Sequence, residues 1–244
     1  MKIRNPTSRF KLKIPSQAQV LDVGSGHNPH PRANVITDKF IDSNYHRASD
    51  IKVLRNQRFV EADGQSLPFK DKEFDYVICC HVVEHVEDPA VFMNELARVG
   101  KAGYLEAPSL LGEFLIPKGS HVWVLMEVDN KLIFVNKKRL GLTTSHDFGD
   151  VFLKFLPKSS VGYKILQRTH HQLFTVNYEW KDSIEYIIEP SDEELKKFFT
   201  QAWDEAMFKT AFPQRSLLKE YLLAIAASFD ILKAVFKSRV LRKL

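Results

Sequence analysis

Four carboxylates in the first half of the chain sit in or just past apolar runs. They are Asp22 in "VLDVGSG", Asp38 after "NVIT", Asp63 after "RFVEA" and Glu106 in "GYLEAPS". A carboxylate so placed accepts hydrogen bonds from the hydroxyl or amino groups of a polar ligand. Gly24 and Gly26 follow Asp22. Lacking Cβ atoms, they allow a sharp turn and the close approach of a ligand to the backbone. His81 and His85 add groups that exchange protons near neutral pH. At i and i+4 two histidines also share a helix face, which suits a metal. No glutamate follows His81 as in H-E-x-x-H and no third ligand is evident, so no metal is expected.

The elements that must carry these residues read as follows. Val20–Val23, residues 34–37, 58–62, 75–80 and 103–107 are apolar, sheet-favouring runs. Residues 89–99 place Val91, Phe92, Leu96 and Val99 at helical spacing, with Pro89 in the first turn. Strands joined by crossovers predict a parallel sheet with its ligand at the carboxyl ends. Only residues 25–33 separate the first turn from the second strand, too few for an ordinary crossover helix, and Pro29 and Pro31 favour an irregular connection. Two hairpins are expected beyond residue 110, turning near Asp129–Asn130 and near Lys181–Asp182. Ser191 and Glu194 read as a capping box opening C-terminal helices.

The ordered set "VLDVGSG", Asp38, "ADGQSLPFKDKEFDYVICCHVVEHVEDP" and "GYLEAPS" resembles the class I S-adenosylmethionine-dependent methyltransferases, in their small-molecule, type 11-like branch. The likeness covers roughly residues 18–110. It implies an α/β, Rossmann-like, mostly parallel sheet with an antiparallel edge hairpin, plus an inserted β-hairpin and C-terminal helices. On this reading residues 1–190 are the methyltransferase domain, with the insertion at about 110–170, and residues 191–244 a helical extension. It further implies S-adenosylmethionine as cofactor, bound by Asp22, Gly24, Gly26, Asp38, Asp63, Gly64 and His81. Asp22 would organise the turn and the ligand's amino group, Asp38 the ribose hydroxyls and Asp63 the adenine amino group.

Each position has a plainer reading beside this one. Asp22 as a buried carboxylate would bond only to loop amides. Asp38 would equally suit the ribose of a nicotinamide dinucleotide. Asp63 would start an Asx turn, and Leu67-Pro68-Phe69 reads as packing. A dinucleotide needs a third glycine and a helix N-terminus under its pyrophosphate, and this loop shows neither. A dinucleotide-dependent oxidoreductase is therefore the weaker alternative, and a non-catalytic adenosylmethionine-binding module a second. For catalysis the candidate bases are His81, His85 and Glu106. His121 and Trp123 either roof an acceptor pocket or belong to surface and core.

The 244 residues carry a net charge of +5, concentrated at the ends. Residues 1–19 hold five basic and no acidic side chains, and residues 214–244 hold seven basic and two acidic ones, so the segment between is net acidic. No nucleic-acid partner is expected. The adjacent Cys79 and Cys80 offer no disulfide framework, and no leader or membrane span is legible, so the expected location is cytoplasmic. Leu218, Leu222, Ile225, Phe229, Leu232, Phe236 and Val240 recur at helical spacing, with lysines on another face. Such a helix packs on its own domain or a second subunit, or lies on anionic lipid. The expected acceptor is a small molecule, a sugar or a lipid-linked intermediate, methylated at oxygen.

Overall fold

The computed structural model describes residues 1–44, 49–142, 147–212 and 214–240. The end of the basic tail, residues 241–244, lies outside these residues. The strands are β1 (Lys2–Arg4), β2 (Val20–Val23), β3 (Val35–Asp38), β4 (Arg58–Glu61), β5 (Tyr76–Cys80), β6 (Ala102–Pro108), β7 (Trp123–Val128), β8 (Lys131–Asn136), β9 (Thr175–Lys181) and β10 (Tyr186–Ile188). The α-helices are α1 (Pro89–Val99), α2 (Leu110–Leu115), α3 (Leu156–Ser159), α4 (Val161–Thr169), α5 (Glu193–Thr200), α6 (Glu205–Ala211) and α7 (Leu217–Val240).

The main sheet runs β1-β9-β6-β5-β2-β3-β4. Strands β4, β3, β2, β5 and β6 are mutually parallel, and β9 is antiparallel to both of its neighbours. The five parallel strands match the five apolar runs, and their carboxyl ends form one rim. The fold is thus mixed α/β with a mostly parallel central sheet. The antiparallel edge has a different make-up from the expected hairpin. Asp182 adopts a positive φ, and the chain then leaves the main sheet. β10 pairs in parallel with β8 in a second sheet, ordered β10-β8-β7. The edge is completed instead by β1, a three-residue strand too short to show periodicity in the sequence. The other hairpin forms as expected. Asp129 and Asn130 both have positive φ, the geometry of a tight turn matched to strand twist.

The core is built where these elements overlap. α1 buries Phe92, Met93, Leu96 and Val99 against the sheet, whereas Val91 is exposed. Asp88 caps it by accepting from the Ala90 and Val91 amides, with Pro89 at the first position. Gly103 in β6 lets Trp180 of β9 lie flat across the strand; a Cβ there would meet the Val77 carbonyl at 2.5 Å. Helices α5 and α6 pack on the second sheet through Phe198, Met207 and Trp203, and α7 packs along α4. The cap of α5 is Asp192 rather than the expected Ser191: its carboxylate accepts from the Glu194 amide at 2.8 Å, so the helix begins one residue later.

Residues 24–34 form turns and no helix, as their shortness requires. Beneath them Asp22 is fully buried. One of its oxygens accepts from the His30 amide at 2.7 Å, and the Arg9 guanidinium lies 3.7 Å away. Burial raises its pKa to about 6, against the opposing pull of Arg9 and the His30 amide. A carboxyl whose folded pKa lies above its unfolded value favours the folded state at low pH. That favour is lost as pH rises through the folded pKa. Relative to wild type, Asp22→Asn should therefore gain about 2 kcal/mol of stability between pH 4.5 and pH 7. Urea denaturation at the two pH values measures this. An unchanged stability difference would show that the carboxyl titrates normally.

Candidate functional site

The parallel strands deliver their polar residues to one recess of about 180 Å³ at the carboxyl rim. Gly24 and Gly26, with φ of 66° and 52°, form its floor after β2. Asp38 ends β3, Asp63 and Gly64 follow β4, and His81, Val82 and His85 follow β5. Phe92 of α1 closes one wall, against which a Cβ on Gly64 would stand at 2.3 Å. The Asp38 carboxylate accepts from the Gly26 amide at 3.2 Å and from the Phe40 amide at 3.0 Å, which ties the glycine turn to β3. Asp63 does two things. One oxygen accepts from the Gln65 amide at 2.9 Å, making an Asx turn. The other pairs with Lys39 at 2.7 Å. Burial opposes ionisation of Asp63, but the Lys39 ammonium and the Gln65 amide hold its pKa below the usual value.

A second cluster borders the recess. His81 has φ 57°, a conformation uncommon for a residue with a Cβ. It turns the ring so that Nδ1 lies 3.4 Å from Glu84 and Nε2 3.2 Å from Glu106. Burial disfavours the cation, but hydrogen bonds and charge from Glu106 and Glu84 outweigh it and lift the pKa to about 10. With both nitrogens directed at carboxylates, His81 has no lone pair to offer as a base. Glu106 is held from behind: the Tyr104 hydroxyl donates to it, and Asn177 Nδ2 donates at 3.1 Å. Burial would raise Glu106, yet His81 and Tyr104 keep it below the ordinary carboxylate range.

Residues between 113 and 137 complete this cluster. The Val122 amide donates to the Glu84 carbonyl at 2.8 Å, which lays the start of β7 across the turn at 83–85. His121 is thereby brought to Glu84, and its Nδ1 lies 2.5 Å from Glu113. Lys137 donates to the same Glu113 carboxylate. Trp123 is core, its Nε1 donating to the Val86 carbonyl at 2.9 Å.

The structure thus brings Gly24, Gly26, Asp38, Asp63, Gly64, His81 and His85 together around one recess, with Glu106 behind His81. Asp22 lies beneath the turn and is not on the recess wall. Sequence reasoning missed Lys39, Glu113, Lys137, Tyr104 and Asn177. Tyr104 was legible, since residues two apart in a strand share a face with Glu106. The others depend on contacts across the fold. A separate cavity of about 500 Å³ is lined by Ser109, Met126, His171, Asn177, Trp203 and Arg215, among others.

The segment that carries the glycine turn and the acidic strand ends is similar to known proteins. Residues 21–105 match the family model described as "Methyltransferase domain". The chain is 42% identical over 64 residues to an uncharacterized methyltransferase of Mycobacterium sp. (strain JLS), covering 26% of this chain and 25% of that one. It is 38% identical over 76 residues to an uncharacterized methyltransferase of Mycobacterium leprae (strain Br4923), covering 31% and 28%. The chain therefore spans only about a quarter of the length of the curated relatives it matches. Among solved structures, the YcgJ protein of Bacillus subtilis is similar at 23% identity and a TM-score of 0.34, over 45% of this chain and 56% of that one. The family match lies over strands β2 to β6 and the glycine turn, so this segment of the chain is similar to a methyltransferase domain.

Proposed function

We propose that the chain binds S-adenosylmethionine in the 180 Å³ recess and transfers its methyl group to an oxygen of a small-molecule, sugar or lipid-linked acceptor. The observation that carries this reading is the placement of two carboxylates, Asp38 and Asp63, on neighbouring strand ends above a floor of two left-handed glycines. The groups fit this cofactor. Asp38 suits the ribose hydroxyls. Asp63 suits the adenine amino group, which would take the place Lys39 holds. Phe92, Val82 and the bare backbone of Gly64 suit the flat base. A pyrophosphate fits less well, because the loop at 24–34 has no helix whose N-terminus would face it.

When bound, the cofactor supplies a methyl group on a sulfonium, displaced in line, and the protein supplies alignment. Here His81⁺ with two carboxylates makes a net negative cluster beside the recess, which favours a cationic sulfonium over its neutral product. Of the candidate bases, Glu106 keeps that role and His81 orients it. The larger cavity, within the usual range for a ligand site, suits the acceptor. Asn177 lines it and also donates to Glu106, joining the cavity to the cluster.

Helix α7 supports a lipid-linked acceptor. Among its described side chains, only a narrow stripe centred on Ala227 and Ile231 is buried. Leu218, Leu222, Ile225, Phe229, Leu232 and Phe236 are exposed, Phe236 by 71%. α4, packed beside it, adds exposed Val161 and Leu166. Lys219, Lys233 and Lys237 accompany this apolar surface, and Lys219 also lines the larger cavity. No helix among the described residues is long and apolar enough to cross a membrane. An interfacial contact with anionic lipid satisfies both the apolar face and the lysines.

Two outcomes test these readings. Asp38→Asn and Asp63→Ala should each weaken binding of adenosylhomocysteine by roughly 10- to 100-fold, since charge-assisted hydrogen bonds contribute about 1.5–3 kcal/mol. Unaltered affinity in both variants would reject the assignment. In co-sedimentation, the protein should bind anionic vesicles in low salt, release them as salt rises, and ignore neutral ones. Phe229→Asp together with Leu222→Asp should abolish binding without lowering thermal stability, because both side chains are exposed. Retained vesicle binding would reject this face as the lipid contact, and a collapse of stability would make α7 a packing helix.

A further inference from the structure

Glu84 is the least satisfied polar group beside the recess. Its side chain is 1% exposed, and among the described residues neither carboxylate oxygen has a hydrogen bond of good geometry, the nearest donor being His81 Nδ1 at 3.4 Å. Burying a carboxylate without donors is costly, so such a group marks something that the fold is built to hold. Its surroundings are histidines rather than amides or arginines. His81 Nδ1 is 3.4 Å away and His121 Nε2 4.0 Å away. One ligand atom each from Glu84, His85 and His121 lie within 4.8 Å of one another.

We propose that Glu84, His85 and His121 form a binding site for a divalent transition-metal cation, of the zinc class, at the edge of the recess. This departs from the expectation of no metal, which considered only His81 and His85. The third ligand lies 36 residues beyond His85 in the chain, where spacing rules do not reach.

Three features carry the assignment. The donor set is two imidazoles and one carboxylate, which suits zinc, iron or nickel and leaves coordination positions open. The imidazoles are oriented as metal-binding histidines are. His121 Nδ1 faces the buried Glu113 carboxylate at 2.5 Å, itself held by Lys137. His85 Nδ1 lies 3.0 Å from the Ser120 carbonyl, which fixes it as a donor and puts the lone pair on Nε2. These are the outer partners that set tautomer and ring direction. Finally, bonds of about 2.0–2.2 Å to a common ion would draw the three donor atoms to roughly 3.5 Å apart, a shift within reach of side-chain rotation. A cation here would add to the charge that one His81 imidazolium divides between Glu84 and Glu106. His85 lines the recess, so the open positions would accept water or an oxygen of a bound substrate.

The test uses the full-length protein, stripped with a chelator and titrated with Co²⁺ and then Zn²⁺. One equivalent of Co²⁺ should bind at micromolar concentration with visible d–d absorption and no thiolate charge-transfer band, and Zn²⁺ should displace it. Glu84→Gln and His121→Ala should each weaken binding at least tenfold. Glu113→Gln, which removes no ligand, should weaken it 10- to 100-fold. Circular dichroism confirms that each variant is folded, and should His121→Ala not fold, the wild-type spectrum and Glu113→Gln decide. Failure of the wild type to take up either ion, a thiolate signature from Cys79 or Cys80, or wild-type affinity in folded variants would overturn the proposal. Adenosylhomocysteine binding, measured on the same metal-free samples, stands or falls separately.

Discussion

The ion-paired arrangement of His81 between Glu84 and Glu106 is the constraint on which the rim of this sheet depends. Two carboxylates so little exposed would each cost several kcal/mol if left without a cation. One imidazolium cannot satisfy both fully, and the structure answers on each side separately. On the Glu106 side, Tyr104 and Asn177 donate from β6 and β9. On the Glu84 side, among the described residues, the nearest nitrogens are His81 Nδ1 at 3.4 Å and His121 Nε2 at 4.0 Å, so histidines from two different parts of the chain converge. The left-handed backbone of His81 is the local strain that makes this geometry reachable.

This constraint explains why the second sheet, β10-β8-β7, belongs to the site. It is fastened to the turn after β5 by the Val122 amide and the Trp123 indole, both donating to carbonyls of residues 84–86. These contacts hold His121 against Glu84, while Glu113 and Lys137 close the shell behind it. α5 and α6 then cover the outer face of that sheet. The chain beyond residue 108 thus supplies one wall of the chemistry, and β10 returns from the main sheet to seal the arrangement.

The parallel strands were legible because buried strands write themselves as short apolar runs, and the recess was legible because its residues follow those runs directly. Gly24, Asp38, Asp63 and His81 all lie within three residues of a strand end. What could not be read was pairing at a distance. β1 is three residues long, and nothing in Lys2–Arg4 announces that it will close the edge beside β9. The run after Lys181 has the pattern of a hairpin, yet β10 joins another sheet because its partner β8 offers a free edge. Glu113 and Lys137 look like ordinary surface charges until the fold buries them together. The stripe on α7 has the spacing of a core helix, and only the structure shows which side α4 covers.

The central claim is that this rim holds an adenosyl cofactor and not a dinucleotide. Calorimetric titration of the wild-type protein with adenosylhomocysteine, and in parallel with NAD, tests it most directly. The account predicts one saturable site for adenosylhomocysteine and affinity for NAD at least tenfold weaker. Equal or tighter binding of NAD would contradict it.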